Sequence, residues 1–361
     1  MRSYRGLLVG VVSALAAMAP VAASAQGVSG TCTRPEVPSA ARDYCLIVAQ
    51  AVEAGQPQFG ILLAGGNPTI GTASGGGLRL GVLPRVNVAG NLNMVFIHLP
   101  EILADQAGGV ARSVNDVVGI PSPALAATAT VGVFPGFSAI PTVGGVGSID
   151  LIGTASWVPL SAGSVEGFED GTSDVAWGAG VRIGILRESF LTPGISISVI
   201  RRGIGEIAYG NVCPAVAIPG GGDESFSSGN CATPQGDAGE FSVDLTDWST
   251  RAVIGKRLLG MGLVAGIGYD SFSSDVGFGF RPPEGSVPGQ PNFFARARGL
   301  DLDSNRWSAF LDGSLTVLVA TVGAEIGWLQ GSDEIEGFPS ASDFDPGNGT
   351  FFGSVGLRVS L

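Results

Sequence analysis

The chain has 361 residues, of which only 14% are charged, against roughly 25% in ordinary soluble domains. With 31 acidic and 19 basic side chains its formal charge is −12. That disfavours nucleic acid and other phosphate-rich partners, which require positive potential. Mean hydropathy is positive at +0.37, yet beyond the first 25 residues no run approaches the roughly 18 apolar residues of a membrane helix.

The chain opens on a basic start, Arg2 and Arg5, followed by an apolar run from Leu7 to Ala19 and the small residues Ala23-Ser24-Ala25. This is the three-part anatomy of a secretory signal peptide, and residues 1–25 are expected to be removed. Without its two arginines the mature chain carries 17 basic and 31 acidic side chains, a net charge of −14. Residues 26–57 form a separate segment in which Ala40 to Ala54 has helical spacing. It is expected to plug a lumen or to lie in the periplasm. The cysteines fall into two close pairs, Cys32 with Cys45 and Cys213 with Cys231. In an exported chain these read as two local disulfides, although three connectivities are open.

From residue 58 onward the dominant signal is alternation with period two. In 174–187, Val175, Trp177, Ala179, Val181, Ile183 and Ile185 share one face, opposite Asp174, Gly178, Gly180, Arg182 and Gly184. Residues 86–99, 146–160, 260–280, 314–330 and 348–361 repeat the pattern. The face opposite the large residues is too small and polar for a sandwich core. The expected fold is therefore all-β, a closed antiparallel transmembrane β-barrel spanning 58–361. A one-faced sheet in a soluble β-protein is the alternative. The expected strands are 58–66, 72–83, 86–99, 125–134, 146–160, 174–187, 194–209, 240–257, 260–280, 293–312, 314–330 and 348–361. That gives about twelve, within a range of ten to fourteen. Long links, including three acidic ones without Lys or Arg, alternate with short ones such as Leu311 to Ser314. This is the barrel plan of external loops and periplasmic turns.

Side chains expected on the wet face nominate Arg79, Asp150, Arg182, Arg202, Glu206, Asp247, Arg251, Arg296, Arg298 and Glu325 as lumen-lining. Their mixed signs suit a salt-bridge network or a narrow solute path better than an ion-selective ring. The sole histidine, His98, lies on the apolar face with no fixed Ser partner. It reads as an interfacial residue, with a lipid-facing hydrolase as the competing reading. Asp343 and Asp345 are a weak loop candidate for a cation, opposed by the simpler reading of a solvated turn. No cofactor and no enzymatic activity are expected.

Two resemblances follow from these residues. The terminal strand, with Phe351, Val355, Leu357, Val359 and Leu361 on one face, resembles the last strand of bacterial outer-membrane barrels. There it carries the assembly signal and usually ends in Phe rather than Leu. The resemblance implies outer-membrane lipid, lipopolysaccharide and the barrel-assembly machinery as partners. Gly65-Gly66-Asn67-Pro68, after an N-terminal extension, resembles the hatch motif of long-chain fatty-acid transporter barrels over residues 26–80, although that family has fourteen strands. Together these imply a passive channel for small or hydrophobic solutes, gated by residues 26–57 or by the Cys213/Cys231 loop. A surface-interaction barrel whose acidic loops bind cations or a partner is the alternative.

Overall fold

The computed structural model describes residues 30, 32–35, 37, 42–75, 78–79, 83–97, 120–138, 144–159, 175–210, 238–281, 295–331 and 347–361. The helix α1 (Arg42–Ala64) precedes a minimal hairpin of β1 (Leu78–Arg79) and β2 (Leu83–Pro84). Ten long strands follow: β3 (Val86–Ile97), β4 (Ile120–Phe134), β5 (Ser148–Trp157), β6 (Val175–Leu186), β7 (Gly194–Gly210), β8 (Ala238–Leu258), β9 (Met261–Arg281), β10 (Ala295–Val317), β11 (Ala320–Leu329) and β12 (Thr350–Ser360). Each pairs antiparallel with its sequence neighbours, and β12 pairs with β3, with Phe352 opposite Val95 and Ser360 opposite Asn87, which closes the barrel.

The wall thus has ten strands rather than about twelve, and it begins at Val86. The segment 58–66 is not a strand. Residues 58–64 are the last two turns of α1, ended where Gly65 adopts φ +61° and its N–H bonds Ile61 O at 2.8 Å. A short apolar run such as Ile61–Ala64 fits a buried helix as well as a buried strand, so periodicity alone misassigns it. Of the segment 72–83, the described residues Leu78, Arg79 and Leu83 belong to the minimal β1–β2 hairpin, not to a barrel strand. The expected short link at Leu311 to Ser314 is also absent, because β10 runs straight through Gly313 and the turn falls at Leu318.

Alternation decides which way each side chain points. Leu151, Trp177, Ile267, Leu311, Val322 and Val355 are exposed on the outside, whereas Asp150, Arg182, Arg251, Asp270, Asp312 and Arg358 are buried inside. All five tryptophans, Trp157, Trp177, Trp248, Trp307 and Trp328, lie on the outside toward the ends that feed the long connections. They form the interfacial girdle of a membrane barrel, with Tyr269 tilted against Trp307 at 5.0 Å. Beyond this girdle the pattern inverts. Along β9 the outward residues change from Met261, Leu263 and Ile267 to Ser271, Ser273 and Asp275, while the inward ones change from glycines to Phe272, Val276 and Phe278. The long strands β8 to β10 therefore rise out of the apolar zone at this end.

In that raised wall Asp244 of β8 sits directly opposite Asp275 of β9, which in turn sits opposite Asp301 of β10. Like charges directly opposed across strands destabilise a sheet by roughly 0.2–1 kcal/mol. Asp275→Asn is accordingly expected to raise the midpoint of the heat-modifiable gel shift slightly, and more at low salt than at high salt.

The other end carries the short turns. Leu259 and Gly260 both have positive φ, 51° and 86°, as a two-residue hairpin of type I′ requires, and Leu259 is fully exposed. A leucine in the left-handed region costs roughly 1–2 kcal/mol. Leu259→Asn should recover about 1 kcal/mol of that, read as a later denaturation midpoint. The β6–β7 connection is tied to the same rim. Lys256, the only lysine of the chain, donates to the carbonyls of Ser189 (2.6 Å), Phe190 (2.8 Å) and Thr192 (3.1 Å).

Candidate functional site in the barrel lumen

Eight strands enclose an interior that side chains just fill, and ten enclose more. Here the extra room is taken by the chain itself. α1 touches β3 and β4 on one side and β8 and β9 on the other, strands that stand five apart around the wall and hence face one another across the lumen. Ile61 and Leu62 are fully buried there, and Gly60 lies against the ring of Phe272.

After α1 the backbone turns irregularly from Gly65 to Gly71. Inside a barrel its N–H and C=O groups must be satisfied by the wall. Glu325 accepts from Gly66 N–H at 2.8 Å and Asn67 N–H at 2.6 Å. Asp312 accepts from the Asn67 side-chain amide at 2.8 Å and from Gly71 N–H at 2.6 Å. Arg251 donates to the carbonyls of Gly65 and Gly66, each at 3.1 Å, and Arg358 donates to Ile70 O. Bonds to charged groups contribute about 1.5–3 kcal/mol each, so the segment is held firmly in place.

Two glycines permit this approach. A Cβ on Gly66 would stand 2.6 Å from the Phe310 ring and 2.7 Å from a Glu325 oxygen. Gly71 has φ +74° and would bring a Cβ within 2.8 Å of Ser314.

Three further ion pairs brace the wall behind the segment. Arg251 meets Asp270 at 2.6 Å, Arg182 meets Asp150 at 2.8 Å, and Arg202 meets Asp247 at 3.3 Å, all buried. Arg202 also bonds Ser249.

The opposite half of the lumen differs in chemistry. Asn91, Asn93, Thr128, Thr154 and Ser156 line it with amides and hydroxyls, and among the described residues the segment is tied there through its carbonyls, Leu62 O to Asn93 at 2.9 Å and Leu63 O to Ser156 at 3.3 Å. One cavity between segment and wall, reached also by Arg202 and Glu325, measures about 10 Å³, room for no more than one water.

A closed antiparallel wall carries apolar residues on its whole outer belt, an aromatic girdle, and charged groups sealed inside. The chain is an outer-membrane β-barrel. No family model matches the barrel, and no curated protein matches its sequence. Solved structures similar to it include the outer-membrane protease OmpT of Escherichia coli, at 10% identity and TM-score 0.30 over 77% of this chain and 96% of that one. The translocator domain of the autotransporter NalP of Neisseria meningitidis shows 13% identity and TM-score 0.33 over 86% and 96%. The TodX monoaromatic hydrocarbon channel shows 10% identity and TM-score 0.25 over 77% and 88%. At TM-scores this low no neighbour's activity carries over to the barrel.

Of the residues nominated from sequence, Asp150, Arg182, Arg202, Asp247, Arg251 and Glu325 all face the lumen. Glu206 does not. A β-bulge between Ile204 and Ile207 shifts the register and turns it outward, where it is exposed. Arg298 is exposed as well, beside a second bulge between Ala297 and Leu300 at which Gly299 has φ +71°. Arg79 belongs to β1 rather than to the wall, and its side chain, like that of Arg296, lies outside the described residues. So do His98, Cys213, Cys231, Asp343 and Asp345. Cys32 and Cys45 are bonded to each other. Sequence reasoning missed Asp270, Asp312 and Arg358, although their parity, opposite Tyr269, Leu311 and Leu357, placed each of them on the wet face.

Proposed function

We propose that the barrel is a gated channel for small solutes, closed at rest by residues 42–75. The supporting observation is the one-sided attachment of this segment. Charged groups of β8 to β12 grip the Gly65–Gly71 turn, while the β3–β5 wall presents small amide and hydroxyl side chains with few ties. A shift of the segment toward its anchors would open a path lined on one side by those groups. Such a lining suits small hydrogen-bonding solutes better than hydrophobic ones.

A reversible lock tests this. A Cβ built on Gly75 lies 3.7 Å from the Ser148 Cβ, within the disulfide range of about 3.5–4.5 Å. In the Gly75→Cys/Ser148→Cys variant, channel activity in planar bilayers and swelling of polyol-loaded liposomes should fall at least tenfold when oxidised and return with dithiothreitol. Equal activity in oxidised and reduced protein, with the crosslink confirmed by mass spectrometry, would reject the gate. A complete lack of conductance in the reduced protein and in the parent would reject the channel. A second reading, surface presentation without transport, is favoured by the path of the N-terminal segment described next.

A further inference from the structure

The luminal segment has a direction. Its beginning sits at the mouth fed by the long connections, where Cys32, Cys45 and Val48 bury against Val276, Phe278 and Leu300. Arg34 reinforces this placement, donating to Gly299 O at 3.4 Å and facing Asp301 at 3.9 Å. Its end sits at the opposite mouth, where Ser74 accepts from the N–H of Glu188 in the β6–β7 connection at 2.8 Å. The chain therefore traverses the barrel from one mouth to the other before entering β3.

Long connections and the raised polar wall of β8 to β10 mark the external side, and short turns mark the periplasmic side. We infer that Thr33, Arg34, Pro35 and Arg42 are displayed on the cell surface, the polypeptide having passed outward through its own barrel. The Cys32–Cys45 bond, with a sequence separation of 13, makes the displayed piece a closed loop seated on the mouth rather than a loose tail. Half-buried Arg34 and exposed Pro35 and Arg42 face outward from this loop, beside the acidic row of Asp244, Asp275 and Asp301. The inference does not depend on conduction, since a barrel that never opens would display the loop equally.

The single native lysine makes the test clean, because Lys256 lies at the periplasmic rim. Arg42→Lys places a second amine on the exposed first turn of α1 without changing charge. Intact cells are treated with a membrane-impermeant amine-reactive biotin, and the purified barrel is mapped by peptide mass spectrometry. Label is expected at position 42 in intact cells and at Lys256 only after permeabilisation. An absence of label at position 42 in intact cells overturns the inference, as does labelling of Lys256 to the same extent before and after permeabilisation.

Discussion

Arg251→Ala is expected to be the most damaging single substitution in the lumen, lowering stability by about 3–5 kcal/mol. The side chain serves four partners at once, the Asp270 carboxylate at 2.6 Å, the carbonyls of Gly65 and Gly66 at 3.1 Å and that of Thr250 at 3.3 Å. Removing it leaves Asp270, which has no solvent exposure, as an uncompensated buried charge. The physical cause predicts a partial rescue. In Arg251→Ala/Asp270→Ala that charge is gone, and the double variant should be more stable than Arg251→Ala alone. Midpoints of unfolding in urea, read by heat-modifiable migration, give the four corners of the cycle. Additive losses would show that the pair is not coupled.

Glu325→Ala should act mainly on the segment rather than on the wall. It strands two buried N–H groups, those of Gly66 and Asn67, at about 1–3 kcal/mol each. Because the backbone ladders of β11 with β10 and β12 do not depend on Glu325, whose one side-chain tie across them among the described residues is from Ser354 at 3.4 Å, the barrel should still assemble. The turn should come loose, visible as cleavage within 62–75 by added protease and, on the gated-channel reading, as frequent openings in bilayers. Glu325→Gln keeps one acceptor and should fall between the parent and the alanine variant. Cleavage rates equal to the parent's in both variants would show that Asp312, Arg251 and Arg358 hold the turn without it.

The wall was legible in the sequence because a membrane barrel writes its two environments into alternate residues. Within the apolar zone of the described strands, the parity of Trp177, Leu151 or Val355 is enough to say which neighbours face inward. What fills the lumen was less legible, for reasons tied to particular residues. Asp312-Gly313 carries the standard signature of a hairpin turn, yet Asp312 is spent as an inward acceptor for Asn67 and Gly71, and the strand continues. Ile61 to Ala64 is apolar on all sides because it is surrounded by the wall, and that removes the period by which a helix is recognised. Glu206 obeys parity only up to a bulge that leaves no mark in composition. The Asn-Pro turn, by contrast, was visible as a motif, and it is where the wall places its charged grip.

The closing seam joins β12, the last strand, to β3, the first of the wall, and α1 with its turns lies immediately upstream of β3. During biogenesis the luminal segment must accordingly either be in place before the final zipper forms or thread end-on through a mouth, because nothing can be inserted sideways through a completed hydrogen-bonded hoop. A chain shortened within its last strand would then forfeit both hoop and segment together, and should be degraded rather than persist as an open pore.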